Sequence, residues 1–307
     1  MAEIADRVDR AERAERADRA DRADRTVRRV PEVYYRLPGR AAGAMPGAHR
    51  SSGGEGGFEF RGQVPLASAR DTRRLDLHAS LRDPFGQWMV RQYSLRLAVP
   101  VLLVADVSAS MAFAGSPPRQ QVLADLAESL AASVWRQGDA FGFVACAEQV
   151  RSDLLLAPTR ARGAGAALAA RLRTLALDGR SAQGLLQAWR HLPRRRSLVF
   201  LVSDFQLPLA DLRAVLASLA GHALVPVVLG DHQEAGPTAT RGLLTVVDPE
   251  TGRRALWWWR PALRDRLARA HQQRRDDLQQ CFAAQRLRPL FVDGAFDADA
   301  VTRHFLA

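Results

Sequence analysis

Lysine is missing from this chain of 307 residues, and all 44 of its basic side chains are arginine. A phosphate-binding loop of the GxxxxGK[ST] type needs that lysine, so the chain is not a P-loop ATPase by itself. Cysteine is scarce: Cys146 and Cys281 are too few for a disulfide framework or a cysteine-rich zinc site. Aromatic residues make up only 7%, so the core is expected to be Leu, Val and Ala. No apolar run reaches the roughly 18–20 residues of a membrane-spanning helix. Nor does the N-terminal stretch hold the apolar segment of a secretory signal. These absences predict a cytoplasmic protein with no membrane span.

What is present is ordinary globular material, 47% hydrophobic, with 33 acids against the arginines for a net charge of +11. The excess of base does not come from the N-terminus. Residues 1–29 repeat the triplets ADR and AER and hold 9 arginines against 8 acids. The period places acids four residues before arginines, as in Asp6–Arg10 and Asp18–Arg22. That order supports an isolated helix by about 0.2–0.5 kcal/mol per pair. No apolar stripe accompanies it, so residues 1–29 are expected as a charged arm, a solvated helix or disordered. Residues 30–57 are rich in Gly and Pro and are expected as a linker. Folded structure should begin near Phe58.

From there strand and helix patterns alternate. Val99–Ala105, Ser197–Ser203 and Ala223–Leu229 are short, continuous apolar runs, the mark of strands buried on both faces of a parallel sheet. Phe141–Ala147 and Val150–Leu156 are further strand candidates. Helical spacing covers 120–136, 166–175, 182–190 and 209–220. Leu243–Asp248, the turn PETG and Arg253–Trp259 read as a β-hairpin. A long basic helix over 260–285 and a last strand at Leu290–Val292 follow. The fold class expected is α/β: a doubly wound, mostly parallel, Rossmann-like sheet with an added β-hairpin and a long C-terminal helix.

In such sheets ligands sit beyond the carboxyl ends of the strands. The strand Val99–Ala105 runs into Asp106-Val107-Ser108-Ala109-Ser110, and Ser197–Ser203 runs into Asp204. Two carboxylates and two hydroxyls thus arrive at one edge, and hard oxygen donors of this kind suit Mg²⁺ or Mn²⁺. The alternative is structural, with Asp106 capping the turn and the serines bonding locally. A Walker B strand lacks its Walker A partner here. A serine hydrolase lacks the GxSxG elbow.

These residues resemble a known site. DVSAS is similar to the first segment of the metal-ion-dependent adhesion site of von Willebrand factor A domains, and Asp204 in LVSDF matches its last aspartate. Ser181 stands where that site carries a threonine. The segment RRLDLHASLRDPFGQWMVRQY, Arg73 to Tyr93, resembles the one preceding the A-type domain in the bacterial DUF58 family, keeping Arg74, Asp76, Ser80 and Arg82. GDAFGFV and the DPETG turn are also family-like. The resemblance implies a DUF58-like segment over 58–96 and an A-like domain over 97–307. It implies metal ligation by Asp106, Ser108, Ser110, Ser181 and Asp204, with one position open for an acidic residue of a client protein. It further implies a MoxR-type AAA+ ATPase as partner and a chaperone-like rather than enzymatic role. The DPFG stretch at 83–86 suggests the branch found in methanol-oxidation clusters, where the client is a dehydrogenase.

Two other functions compete with this adaptor reading. A metal-dependent hydrolase could use the same carboxylates to activate water. A nucleic-acid-binding protein could use Arg194–Arg196, Arg253-Arg254 and Arg274-Arg275, but no recognition motif accompanies them and no nucleic-acid partner is expected. Trp257-Trp258-Trp259 alternate across a strand. They cover the sheet, or they anchor a partner, since tryptophan is enriched where binding energy concentrates.

Overall fold

A computed structural model describes residues 30–37, 46–50, 59–69, 72–94, 96–113, 115–230, 241–248 and 250–306. The triplet-repeat arm, residues 1–29, lies outside the described residues. In chain order the strands of the folded unit are β1 (Pro46–Arg50), β2 (Glu59–Pro65), β3 (Leu75–Asp76), β4 (Met89–Ser94), β5 (Arg96–Leu97), β6 (Pro100–Asp106), β7 (Ala140–Cys146), β8 (Leu156–Thr159), β9 (Leu198–Ser203), β10 (Ala223–Gly230), β11 (Gly242–Val247), β12 (Arg254–Trp259) and β13 (Leu290–Asp293). The α-helices are α1 (Leu77–Arg82), α2 (Arg119–Arg136), α3 (Ala164–Arg173), α4 (Leu209–Ser218), α5 (Pro261–Ala284) and α6 (Ala298–Leu306).

A six-stranded sheet in the order β13-β10-β9-β6-β7-β8 forms the centre. All its pairings are parallel except β7 with β8. Every residue of β6 and β9 is buried, as continuous apolar strands covered on both faces must be. One face packs α2, α3 and α6, contributing Leu123, Leu130, Leu168 and Val301. The other packs 183–191, α4 and α5, contributing Leu185, Leu212, Leu216 and Phe282. This is the expected doubly wound sheet with its hairpin and long C-terminal helix. The chain leaves β6 for β7 on one side and returns to β9 on the other. The carboxyl ends of β6 and β9 therefore flank the point where winding reverses, the usual place for a ligand in such sheets.

Three segments differ from expectation. The strand expected over 150–156 is a short 3-10 turn at Ser152–Leu154, and the edge strand follows at Leu156–Thr159. Pro158 suits that edge, where a missing donor costs no ladder bond. The helix expected over 182–190 is a 3-10 helix, Gln183–His191. The described part of the expected linker is not free chain. Val33, Tyr35 and Leu37 alternate into the core at 2%, 1% and 2% exposure. The Val33 amide donates to Ser133 Oγ at 2.9 Å, and Tyr35 donates its hydroxyl to Asp139 at 2.6 Å. Asp139 also takes the Val99 amide at 2.9 Å, tying this segment to the start of β6. Glycine and proline flanks hid a period-2 pattern, V-x-Y-x-L, that marks an extended segment against a core. β1 pairs antiparallel with β5.

β2, β4 and β3 form a separate antiparallel sheet. Its hub is Asp76, which caps α1 through the Ala79 amide at 3.1 Å and accepts from Gln63 and Arg91 at 2.8 and 2.7 Å. The Arg91 hydrogen bond, the largest of these effects, holds its carboxyl well below the usual carboxylate range. Ser80 accepts from the Met89 amide at 2.8 Å, and Arg74 lies over the Tyr93 ring. The motif RLDLHAS thus joins three elements. No helix among the described residues is long and apolar enough to cross a membrane.

Candidate metal site

β6 ends at Asp106 with 1% exposure, and the adjacent strand β9 ends at Ser203, also fully buried. One carboxylate oxygen of Asp106 accepts from the Ser108 amide and hydroxyl, at 2.9 and 2.6 Å. The other accepts from Ser203 Oγ at 2.7 Å. Ser203 in turn takes the Phe205 amide at 2.8 Å, which shapes the turn that carries Asp204. The hydroxyls of Ser108 and Ser110 stand 3.1 Å apart. Burial, then the neighbouring Asp204 charge, push the Asp106 carboxyl up to about 6, against the hydrogen bonds from Ser108 and Ser203.

Asp204 is buried opposite. One of its oxygens accepts the Gln206 amide at 3.1 Å, and the other accepts from Arg119 at 3.2 Å. The same guanidinium nitrogen reaches the Ser110 carbonyl at 3.0 Å. Arg119 is the first residue of α2, where a cation is disfavoured by the helix dipole. Its burial there at 5% exposure is explained by Asp204.

The third segment is brought in by backbone. Ser108 and Gly179 form a parallel bridge, and the Ala109 amide donates to the Gly179 carbonyl at 2.7 Å. A Cβ at Gly179 would lie 2.7 Å from Ala147 Cβ and 3.3 Å from Ser108 Cα, so only glycine allows this approach. Ser181 follows immediately. Asp106, Ser110, Ser181 and Asp204 then line one cleft of about 200 Å³, with Gln206 and Asp211 on its walls and Glu250 reaching it from the β11–β12 turn. Ser108 does not line the cleft; it is fully buried and hydrogen-bonded to both Asp106 and Ser110.

The donor set is carboxylate-poor and hydroxyl-rich. Among the described residues no group of three or more His, Cys, Asp or Glu is placed to hold a metal. Hard oxygens converging from three segments fit a small divalent cation that keeps part of its water, as Mg²⁺ does. The two strand-end aspartates and Arg119 sum to a single negative charge, and Asp211 and Glu250 add two further acids at the cleft wall.

The tryptophans are separate from the cleft walls. Trp259 is buried at 2% exposure and anchors the base of the hairpin, so it is not presented to a partner. Trp257 and Trp258 are exposed, with Leu243, Val247 and Leu256 nearby on the same hairpin. Both cysteines are free and buried, and burial pushes the Cys146 thiol up, leaving it inert.

Sequence reasoning did not single out Ser203, Arg119 or Glu250. Ser203 and Arg119 had a readable signal: a hydroxyl one residue before a strand-end aspartate, and an arginine opening a helix just after DVSAS. Glu250 had none, because the placement of a hairpin tip is set by tertiary packing.

Among known proteins, the family described as protein of unknown function DUF58 matches residues 68–277. A Paracoccus denitrificans protein described as an uncharacterized protein in the moxR 3′ region is 36% identical over 101 residues, covering 33% of this chain and 96% of that protein. Two solved structures are similar at 13% identity. One is BatB from Bacteroides thetaiotaomicron, with a TM-score of 0.41 over 68% of this chain and 96% of that one. The other is an aerotolerance-related membrane protein from Bacteroides fragilis, with a TM-score of 0.43 over 68% and 97%.

Proposed function

From the premise that this chain belongs to the DUF58 family, we propose that it is a cytoplasmic, metal-dependent protein-binding adaptor with no turnover of its own. Asp106, Ser108, Ser110, Ser181 and Asp204 hold Mg²⁺ or Mn²⁺, and the cation offers an open position to an acidic side chain of a client. A MoxR-type AAA+ ATPase supplies energy in trans. The observation that carries the reading is the convergence of two strand-end aspartates and their serines on one open cleft where the sheet winding reverses. The kinship to a protein named for its moxR neighbourhood supports the choice of ATPase. The exposed Trp257 and Trp258 offer an aromatic contact for either partner.

In this mechanism the cation, when bound, supplies a Lewis-acidic charge. The chain's own groups do the rest. Ser203 and Ser108 fix both oxygens of Asp106, Arg119 fixes Asp204, and the Gly179 bridge holds Ser181 across from them.

The test is retention of the MoxR-type ATPase and a client from native lysate, in Mg²⁺ and in EDTA, by wild type and Asp106→Ala. The adaptor reading expects retention by wild type in Mg²⁺ only. Retention of nucleic acid alone, regardless of metal and steeply salt-dependent, overturns it.

A further inference from the structure

The β11–β12 hairpin is a two-stranded sheet of its own. Its register assigns each side chain to a face, because directly opposed residues share a face and neighbours along a strand do not. Leu243 stands opposite Trp258, Thr245 opposite Leu256 and Val247 opposite Arg254. On this face Leu243, Val247, Leu256 and Trp258 are 61%, 50%, 68% and 63% exposed. The other face is the better covered one, with Leu244 and Val246 half-buried and Trp259 buried. Single exposed apolar side chains are ordinary on a protein surface. Four large ones contiguous across two strands mark an interaction site.

The charge at the ends of this row is of one sign. Arg254 closes it near the turn. Arg260 has extended backbone, φ −149° and ψ 158°, so it continues the alternation of β12 and brings a second arginine to the opposite end of the same face. The β11 and β12 positions of this face hold no acid. Asp248, the acid at the turn, is engaged there, accepting from the Glu250 amide and from Thr251. Tryptophan with arginine and without acids is the composition of protein interfaces.

The same features select the occupant. A second copy of this face would set arginine against arginine. A bilayer would receive the tip of a hairpin, and this tip carries Asp248 and Glu250, which an anionic headgroup layer repels. What the hairpin offers is a flat apolar row about 20 Å long, six residues at about 3.3 Å each, lacking its second layer. A helix with an apolar stripe is the element that completes such a layer. We propose that the open face of the hairpin docks an acidic amphipathic helix of a partner protein, its stripe on Leu243, Leu256 and Trp258 and its carboxylates on Arg254 and Arg260. This rests on the protein-binding reading above but not on the metal.

The probe is a labelled synthetic helical peptide of about 18 residues, with leucines along one stripe and glutamates beside it. Its analogue carries lysine in place of glutamate. Fluorescence anisotropy with the full-length protein, in EDTA throughout, reads affinity. The glutamate peptide should bind at least about tenfold tighter than the lysine peptide, and the gap should narrow as salt rises. Trp258→Thr and Leu256→Thr should each weaken it about tenfold; two variants guard against a misfolded one, and urea midpoints check both. Arg254→Glu should weaken it more than Arg213→Glu, the same charge change on the exposed side of α4. Equal affinity for both peptides, or Thr variants that fold and bind as wild type does, overturns the inference. So does Trp258-dependent binding to phosphatidylserine vesicles in place of the peptide, or a Trp258-dependent dimer in sedimentation velocity. The adaptor reading falls separately, on the lysate test in Mg²⁺ and EDTA.

Discussion

Replacing Asp106 by Asn should stabilise the metal-free protein while abolishing its response to metal. Asp106 is ionised at neutral pH although burial and Asp204 push its carboxyl from 3.8 to about 6. The folded state thus holds the proton more tightly than the unfolded chain. The penalty is absent below about pH 4 and complete above about pH 6, where it reaches about 3 kcal/mol. Asparagine removes it. The amide can still accept from Ser108, but Ser203 loses the oxygen to which it donates, a loss of about 1 kcal/mol. Asp106→Asn should therefore be more stable than wild type by about 2 kcal/mol in EDTA at about pH 7.5, and the advantage should vanish toward about pH 4. Mg²⁺ reverses the order. At a concentration of about 100 Kd it adds about 2.7 kcal/mol to wild type and nothing to the variant. Urea denaturation with and without EDTA reads all of these. A variant less stable than wild type in EDTA at neutral pH would refute the reasoning, because the carboxylate would then be a structural cap.

Three further outcomes follow from the same geometry. Arg119→Ala leaves Asp204 buried beside Asp106 without its cation and should cost about 3–5 kcal/mol in urea denaturation, partly recovered by Mg²⁺; a loss under about 1 kcal/mol would mean that Asp204 is solvated. Tyr35→Phe removes the 2.6 Å bond to Asp139 and should cost about 1–2 kcal/mol, whereas an unchanged midpoint would return residues 33–37 to the status of a linker. Gly179→Ala forces a Cβ to 2.7 Å from Ala147 Cβ. It should cost about 1–3 kcal/mol and weaken Mn²⁺ binding by displacing Ser181; unaltered binding would show that Ser181 is no ligand.

The central sheet was legible because β6 and β9 are buried on both faces, and burial writes a continuous apolar run into the sequence. Strand ends followed directly, so the apolar runs alone were enough to pair Asp106 with Asp204. The segment at 33–37 was obscured because its three inward residues lie among glycines and prolines that dominate the composition. The stretch 182–190 has helical spacing of its apolar residues, yet Gly184 sits against the Gln149 backbone, where its Cβ would be 2.6 Å from a carbonyl carbon. Close packing there accompanies a 3-10 helix rather than an α-helix. Glu250 depends on which loops meet at the cleft, which no local pattern encodes. The role of Ser203 was within reach, since a hydroxyl beside a strand-end aspartate faces the neighbouring strand end.

The measurement that bears most directly on the account is the anomalous scattering of Mn²⁺ in crystals of the full chain grown with the ion. The account predicts a peak in the cleft between Asp106, Ser110, Ser181 and Asp204, with hydroxyl oxygens about 2.0–2.2 Å away. A peak elsewhere, or an Arg119 guanidinium in that position at saturating Mn²⁺, would contradict it.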